Sequence, residues 1–305
     1  MSDIFAHCYL KPPTITASFR RAEVRRRTVS KTQQQKADEL AALNRAGTYV
    51  LPNAWDVGSA VLTANTGALV IATTSAGVSW GRGVPDGQHL TREAALDVVR
   101  DIAAAVDLPV SADVESGYGP GPSDVAETAR GVVAAGAVGI NLEDSGNPDG
   151  GLFDDGAQAA RIRAAREAAA AAGLPNLQIN ARTDVYLAGI GAPEGRYDET
   201  LRRARAYADA GADTLFVPGL TDLDVIATLV ADAPIPVNVM AGPGAPSVGE
   251  LAKAGVRRVS LGASVAFAAY SLVVRATREV LHEGTYEALS EVEPWTVING
   301  GFPSR

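Results

Sequence analysis

One cysteine, Cys8, stands in 305 residues, so neither an intrachain disulfide nor a Cys/His metal cluster is available, and a reducing cytoplasmic setting fits best. Only three histidines occur, which leaves carboxylates and other oxygen donors as the plentiful ligands for a metal ion. No apolar run approaches the ~18 to 20 residues needed to span a bilayer. The N-terminus lacks the continuous apolar core of a secretory signal. A soluble protein with no membrane partner is expected. No GxGxxG follows the first strand-like run, which disfavours an open dinucleotide-binding sheet.

The hydrophobic content of 47% and the charged content of 20% suit one large globular α/β domain. Charge is unevenly spread. Residues 1–36 carry Lys11, Arg20, Arg21, Arg25, Arg26, Arg27, Lys31 and Lys36 against Asp3 and Glu23. That makes a leader of +6, so a chain of net charge −8 leaves −14 on residues 37–305. An acidic body argues against nucleic acid as the ligand. The basic extension reads as a solvated or subunit-packing arm that catalysis does not need, with an arm for RNA or an acidic partner as the alternative.

From residue 37 the chain alternates strand-like and helix-like segments. Short β-branched and apolar runs fall at Tyr49–Pro52, Leu69–Thr74, Pro109–Glu115, Gly139–Glu143, Leu177–Arg182, Thr214–Pro218, Pro236–Ala241 and Arg258–Leu261, eight in all. Between them lie Ala-rich stretches with helical periodicity, such as TREAALDVVRDIAAAV and QAARIRAAREAAAAAG. Thr91, Ser123 and Asp198 are candidate caps, and Gly136, Gly173 and Gly211 candidate stops. Strand, helix, strand repetition implies right-handed crossovers and a parallel sheet, and eight units predict a closed (β/α)8 TIM-type barrel over residues 37–305.

In such a barrel chemistry sits at the carboxyl ends of the strands. Polar residues gather there: Asn53 and Asp56, then Thr73, Thr74 and Ser75, then Asp113 and Glu115, Glu143 and Asp144, and Arg182, Thr183 and Asp184, with Asn238 near the middle of the seventh strand. Singly, each has a structural reading: Asp144 as a turn cap, Asp184 as a local partner of Arg182, Thr73 as a satisfied barrel hydroxyl. The pair in VSADVESGYG is more telling, because positions i and i+2 of a strand share a face, which sets Asp113 and Glu115 side by side at a glycine-rich loop. Asp113, Glu115 and Glu143 converging on one mouth would repel unless a cation or protons neutralised them. Oxygen donors without histidine point to Mg2+ or Mn2+. Such an ion suits an α-oxo carboxylate and the enolate formed as a neighbouring bond breaks. Arg182 supplies a fork for a substrate carboxylate or phosphonate. The amides of Thr74, Ser75 and Ala76, in TTSAG, offer a cradle for an anionic oxygen.

The motifs LPNAWD, GVPDG, SADVESGYG, GINLEDS and INARTD, in that order over residues 40–270, resemble those of the isocitrate lyase and phosphoenolpyruvate mutase superfamily, and within it the phosphonomutase-like branch. The resemblance implies a Mg2+-binding (β/α)8 barrel that makes or breaks C–C or P–C bonds beside an enolpyruvate-like intermediate. It further implies a tetramer that exchanges a C-terminal helix between neighbours. By motif, Asp113 matches the direct metal ligand, and Glu115 and Glu143 match acids that hold the metal through water. Asp86 matches an active-site aspartate, Arg182 the substrate arginine, and Thr74 and Ser75 the carboxylate-cradling turn.

The departures bear on the reaction. The family's isocitrate and methylisocitrate lyases carry a lid motif whose cysteine is the acid, whereas the region here reads SGNPDGGLFDDG, without Cys, His or Lys. Phosphoenolpyruvate mutases hold a longer loop with Lys and Asn; here the loop offers Asn147 and acids, Asp149, Asp154 and Asp155, that would oppose a dianionic phosphonate. FVPGL and NVMAGPG replace the lyases' glutamate and Asn-Ile-Thr carboxylate sites. Gly150 and Gly151 permit a hinged lid. The expected activity is C–C cleavage of a small α-oxo or 2-hydroxy polycarboxylate, with P–C bond chemistry, as in a mutase or phosphonopyruvate hydrolase, as one alternative and a non-catalytic metal-binding barrel as another. Tyr118, Asp86 and Asn147 are the candidates for proton transfer, and Asn238 a candidate substrate contact. Beyond residue 262, residues 264–291 carry a long amphipathic pattern with Phe267, Tyr270, Leu272 and Val273 on one side, expected either to close the barrel bottom or to pack on a second subunit in a dimer or tetramer. His282 reads as a helix-terminal cation.

Overall fold

A computed structural model describes residues 31–303. Cys8 and most of the basic leader lie outside the described residues. The first helix, α1 (Gln33–Arg45), is opened by a Thr32 capping box with Gln35. It therefore starts inside the segment read from sequence as leader.

Nine parallel strands follow: β1 (Tyr49–Leu51), β2 (Asn53–Ala54), β3 (Ile71–Thr73), β4 (Val110–Asp113), β5 (Gly139–Glu143), β6 (Gln178–Arg182), β7 (Thr214–Val217), β8 (Val237–Met240) and β9 (Arg258–Ser260). They form one sheet in the order β1-β9-β8-β7-β6-β5-β4-β3-β2. All eight expected runs contain strands, and the ninth, β2, lies just beyond the first run, past Pro52. β1 pairs with β9, whereas β2 pairs with β3, so the two halves close the ring of a (β/α)8 barrel. The Pro52 carbonyl accepts from Ala72 N at 3.0 Å, and the Asn53 side chain bridges the seam, donating to Thr73 O at 3.0 Å and accepting from Leu261 N at 3.1 Å.

The connecting helices are α2 (Val57–Asn65), α3 (Ser75–Gly81), α4 (Arg92–Ala105), α5 (Pro122–Ala134), α6 (Asp155–Ala171), α7 (Arg196–Asp209), α8 (Leu223–Asp232) and α9 (Val248–Lys253). Thr91 caps α4 as expected. α5 and α7 begin earlier than expected, from Gly121 and Gly195, so Ser123 and Asp198 fall within the first turn instead. Gly136, Gly173 and Gly211 end their helices at φ +88°, +92° and +96°, where a side chain would be strained. Outward strand residues such as Ile140, Leu142, Ile179 and Leu215, all at most 1% exposed, pack beneath this helical layer.

The N-terminal mouth of the barrel is plugged by α1. Its Leu40 is fully buried and would lie 3.0 Å from a Cβ at Gly139, and Asn44 donates to Gln178 Oε1 at 3.0 Å while accepting from Tyr49 Oη at 2.7 Å. The C-terminal helix therefore does not close the bottom. That helix, α10 (Ser264–His282), lies against α3, with Trp80 touching Phe267 and Tyr270 at ring separations of 6.3 and 5.8 Å. Beyond it come a short 3-10 turn and α11 (Trp295–Gly300). Among the described residues no helix is long and apolar enough to cross a membrane.

Candidate active site

Inward positions of the strands are polar to an unusual degree, and they bond to one another in a belt. Asn141 on β5 donates to Asp113 Oδ1 on β4 at 3.0 Å, Asn180 on β6 donates to Asn141 Oδ1 at 2.8 Å, and Thr214 on β7 donates to Asn180 Oδ1 at 2.6 Å. Longer contacts of 3.5 and 3.4 Å extend it through Asn238 on β8 to Ser260 on β9. These groups are buried, so pairing removes what would otherwise be the cost of unsatisfied amides in the barrel interior.

Above the belt lies a cavity of about 200 Å³ at the carboxyl ends of the strands. Its walls include Thr73–Ala76, Asp86, Asp113, Arg182, Leu187, Phe216 and Met240, and Asn53, Asn141, Asn180, Arg258 and Ser260 stand below. Asp113 is fixed on every side: its amide donates to Thr73 Oγ1 at 2.8 Å, and Ser75 N donates to its Oδ2 at 3.0 Å. Ser75 N is thus aimed at Asp113. Thr74, Ser75 and Ala76 form the start of α3 and line the cavity.

Glu115 reaches the site by a different route from the one its spacing suggests. β4 ends at Asp113, and Glu115 takes a left-handed φ of +51°, so the turn directs it and the alternation of a strand does not. Gln88 at +61° and Tyr118 at +57° share this conformation, and the three are joined: Gln88 N donates to Glu115 Oε2, and Tyr118 N donates to Gln88 Oε1 at 3.1 Å. Backbone strain concentrated on three contacting non-glycines is the mark of a functional loop. Burial, reinforced by Asp113 and Asp86, pushes the Glu115 carboxyl up to about 7. Burial also raises Tyr118 well above its ordinary value, with Glu115, Asp113, Asp86 and Glu143 adding to it, so its phenol stays protonated.

Glu143 and Arg182 pair at 2.9 Å, and Asp184 grips the same guanidinium at 2.6 and 2.9 Å. Burial raises Glu143 to about 7; Arg182 opposes the rise and Asp113 adds to it. Burial acts to lower the Arg182 pKa, but Glu143 and Asp184 outweigh it and the net shift is upward, so Arg182 is a permanent cation. Asp184 is indeed the local partner of Arg182, and Asp144 is a buried anchor: it accepts from Asp184 N at 3.0 Å, Arg203 Nη1 at 2.8 Å and Tyr207 Oη at 2.7 Å.

Among the described residues no three His, Cys, Asp or Glu side chains stand close enough to hold one ion between them. The arrangement still suits Mg2+, which keeps several waters and takes only one or two carboxylates. Asp113 offers the cavity-lining oxygen, while Glu115 and Glu143, uphill to ionise and coupled to Asp113, supply charge at longer range.

Two expected residues stand elsewhere. Asn238 is fully buried in the belt and does not line the cavity. Asn147 closes its own loop, accepting from Asp149 N at 3.1 Å and donating to Leu152 O at 3.4 Å, and is likewise absent from the cavity wall. The lid acids also turn to structural work: Asp154 caps α6 and Asp155 pairs with Arg202. Residues that sequence reasoning missed are Asn141, Asn180, Phe216 and Arg258. The alternation in GINLE and INAR signals the first two, since each stands two positions before a carboxyl-end residue; Arg258 in VRRVS shares a strand face with Ser260 in the same way.

A parallel barrel whose carboxyl-end mouth sets carboxylates against a held arginine defines a barrel of the enzyme type. Residues 40–281 match the phosphoenolpyruvate phosphomutase family, and the chain belongs to that family, within the superfamily that includes isocitrate lyase. An uncharacterised protein of Mycobacterium tuberculosis strain H37Rv is 38% identical over 76% of this chain and 84% of its own. The 2-methylisocitrate lyase of Salmonella typhimurium is 32% identical over 65% of this chain and 68% of its own. A solved structure from Burkholderia cenocepacia J2315, assigned as a lyase or mutase, superimposes with a TM-score of 0.81 at 42% identity, covering 88% of this chain and 95% of that one. Enzymes of this superfamily are lyases and mutases, and the expected fold and superfamily are both borne out.

Proposed function

We propose that this chain is a Mg2+-dependent lyase that breaks a C–C bond in a small α-oxo or 2-hydroxy polycarboxylate through an enolate. The observation that carries the reading is the cavity itself: about 200 Å³, lined by Asp86, Asp113 and Arg182 together, at the carboxyl ends of the strands. A bound Mg2+ would supply Lewis-acid stabilisation of the developing enolate oxygen. The protein's own groups do the rest. Arg182, locked by Glu143 and Asp184, presents a fixed positive edge to a carboxylate. The small residues of Thr74–Ala76 leave room for the acid head. Asp86, which lines the cavity, and Tyr118, held protonated in the loop it shares with Glu115 and Gln88, are the proton carriers of this reading, while Asn147 is committed to its own loop. The lid loop contains no Cys, His or Lys, which separates this reaction from that of lyases using a thiol acid.

P–C bond chemistry remains a second reading on one observation, because Asp154 and Asp155 face structural partners and so do not repel a phosphonate. A screen of isocitrate-like, dimethylmalate-like and oxaloacetate substrates beside phosphonopyruvate, following pyruvate and phosphate release, separates the two. Calorimetry with oxalate, an enolpyruvate mimic, tests the site: Mg2+ should tighten binding and Asp113→Ala should abolish the effect. Absence of both would leave a barrel without catalytic function.

We further infer a homo-oligomer, with neither nucleic acid nor membrane as partner, working in the cytoplasm. The face of α10 supports the first point, since Phe267, Val273 and Leu281 are 64%, 60% and 73% exposed, more apolar surface than a monomer usually leaves in water. Light scattering at micromolar concentration checks it, and a clean monomer would remove it.

A further inference from the structure

Arg258 opens β9 and lines the cavity with Ser260, the next residue on the same strand face. It is 2% exposed. A guanidinium so deeply buried is normally paired with a carboxylate, because an uncompensated interior charge is strongly destabilising. Here that partner is missing. None of the ion pairs among the described residues includes Arg258. Its hydrogen-bond partner is the neutral Tyr49 hydroxyl, Asp113 acts on it only at longer range, and its Nε is buried with no hydrogen-bond partner.

The other arginine of the cavity is held differently, since two carboxylates, Glu143 and Asp184, already grip the Arg182 guanidinium. The amides beneath the cavity are neutral and each gives one N–H to the belt, Asn141 to Asp113 and Asn180 to Asn141. The unpaired positive charge of the floor therefore belongs to Arg258. In the ring, β9 is separated from the β4 that carries Asp113 by the split first strand and β3, so a ligand held near Asp113 at one end meets Arg258 at another.

We propose that Arg258 is the receptor for a second carboxylate of the substrate, which makes the cavity selective for a diacid over the corresponding monoacid. The assignment rests on the reading above, in which the α-oxo acid head lies at Asp113 and the Thr74–Ala76 turn. A carboxylate is the natural partner for a buried guanidinium whose Nε lacks a hydrogen-bond partner.

The test uses matched acids that differ by carboxylate against methyl: oxomalonate with pyruvate, and 2-oxoglutarate with 2-oxovalerate. Calorimetry with Mg2+ on the full chain should show a preference for the diacid of at least tenfold in one pair. In Arg258→Gln that preference should fall below threefold while monoacid affinity stays within threefold, and Arg258→Lys, which keeps the charge, should retain part of it. A wild-type protein that binds oxalate but shows no diacid preference overturns the proposal without touching the reading beneath it, and this arm needs no variant to fold. A folded Arg258→Gln that keeps the preference, or that weakens both acids alike, also overturns it. Failure of oxalate itself to bind overturns both.

Discussion

Arg203 is the only cation touching Asp144 among the described residues, and its removal tests how the barrel supports its site. Asp144 is fully buried and accepts from Arg203 Nη1 at 2.8 Å, Tyr207 Oη at 2.7 Å and Asp184 N at 3.0 Å. Arg203→Met leaves that anion with two neutral donors. Stranding one partner of a buried pair costs about 3–5 kcal/mol. Of its other contacts, Glu199 adds little, because that side chain is 28% exposed and regains water, while the Phe153 carbonyl, which accepts from Arg203 Nη1 at 2.8 Å, adds to the loss. For a domain of this size each kcal/mol lowers the melting temperature by roughly 2–4 °C, so a fall of about 6–20 °C is expected by differential scanning fluorimetry. Asp144→Asn in the same chain should recover more than half of the loss, since it removes the stranded charge. Burial already raises Asp144, and losing Arg203 raises it further. The folded variant then holds a proton that the unfolded chain releases, so the gap from wild type should narrow as the pH falls from 8 to 5. Melting within about 2 °C of wild type, a gap independent of pH, or no relief from Asp144→Asn would refute the reasoning. Because Asp184 hangs on Asp144 and grips Arg182, the variant should also weaken oxalate binding.

Glu115 and Glu143 each hold a proton to about pH 7 in the folded protein, against an ordinary value of 4.5. Their stability contribution is therefore complete in acid and is lost as the pH rises through 7. Metal-free protein should lose roughly 1–3 kcal/mol between pH 5 and 8 by urea denaturation, and Mg2+ should return most of it at the upper end; a flat profile would show these acids are not uphill. Gly77→Ala separates helix propensity from packing in α3. A Cβ there would stand 2.7 Å from Trp55 Cβ and 2.9 Å from Thr74 Cγ2. Overpacking should destabilise by about 1–3 kcal/mol where propensity alone would stabilise by about 1, and the displaced turn should weaken oxalate binding; a higher melting temperature would mean α3 has room.

Much of the site was legible because its signals are local. Asp113, Glu143 and Arg182 each end an apolar run, and a strand end in a parallel barrel is a position that spacing alone identifies. Glu115 shows the limit of that logic, since it reaches the site through a left-handed turn and not through strand alternation. Asn238 and Asn147 show another: both are polar residues at plausible places, and which neighbour satisfies them decides whether they face the cavity.

What the chain determines by itself is the order of strands and helices, the oxygen-only donor set and the family's carboxylates, because period, caps and ligand chemistry act within a few residues. What only the tertiary structure decides depends on partners far apart in sequence. Leu261 closes the ring on Asn53 across 208 positions, and α1 seals the bottom through Asn44 and Gln178 across 134. The same holds for Arg258. In the sequence it is one of two adjacent arginines; in the barrel it is a buried charge with no carboxylate paired to it among the described residues, since closing the ring turns one of the pair inward and carries the acids of the mouth to other strands.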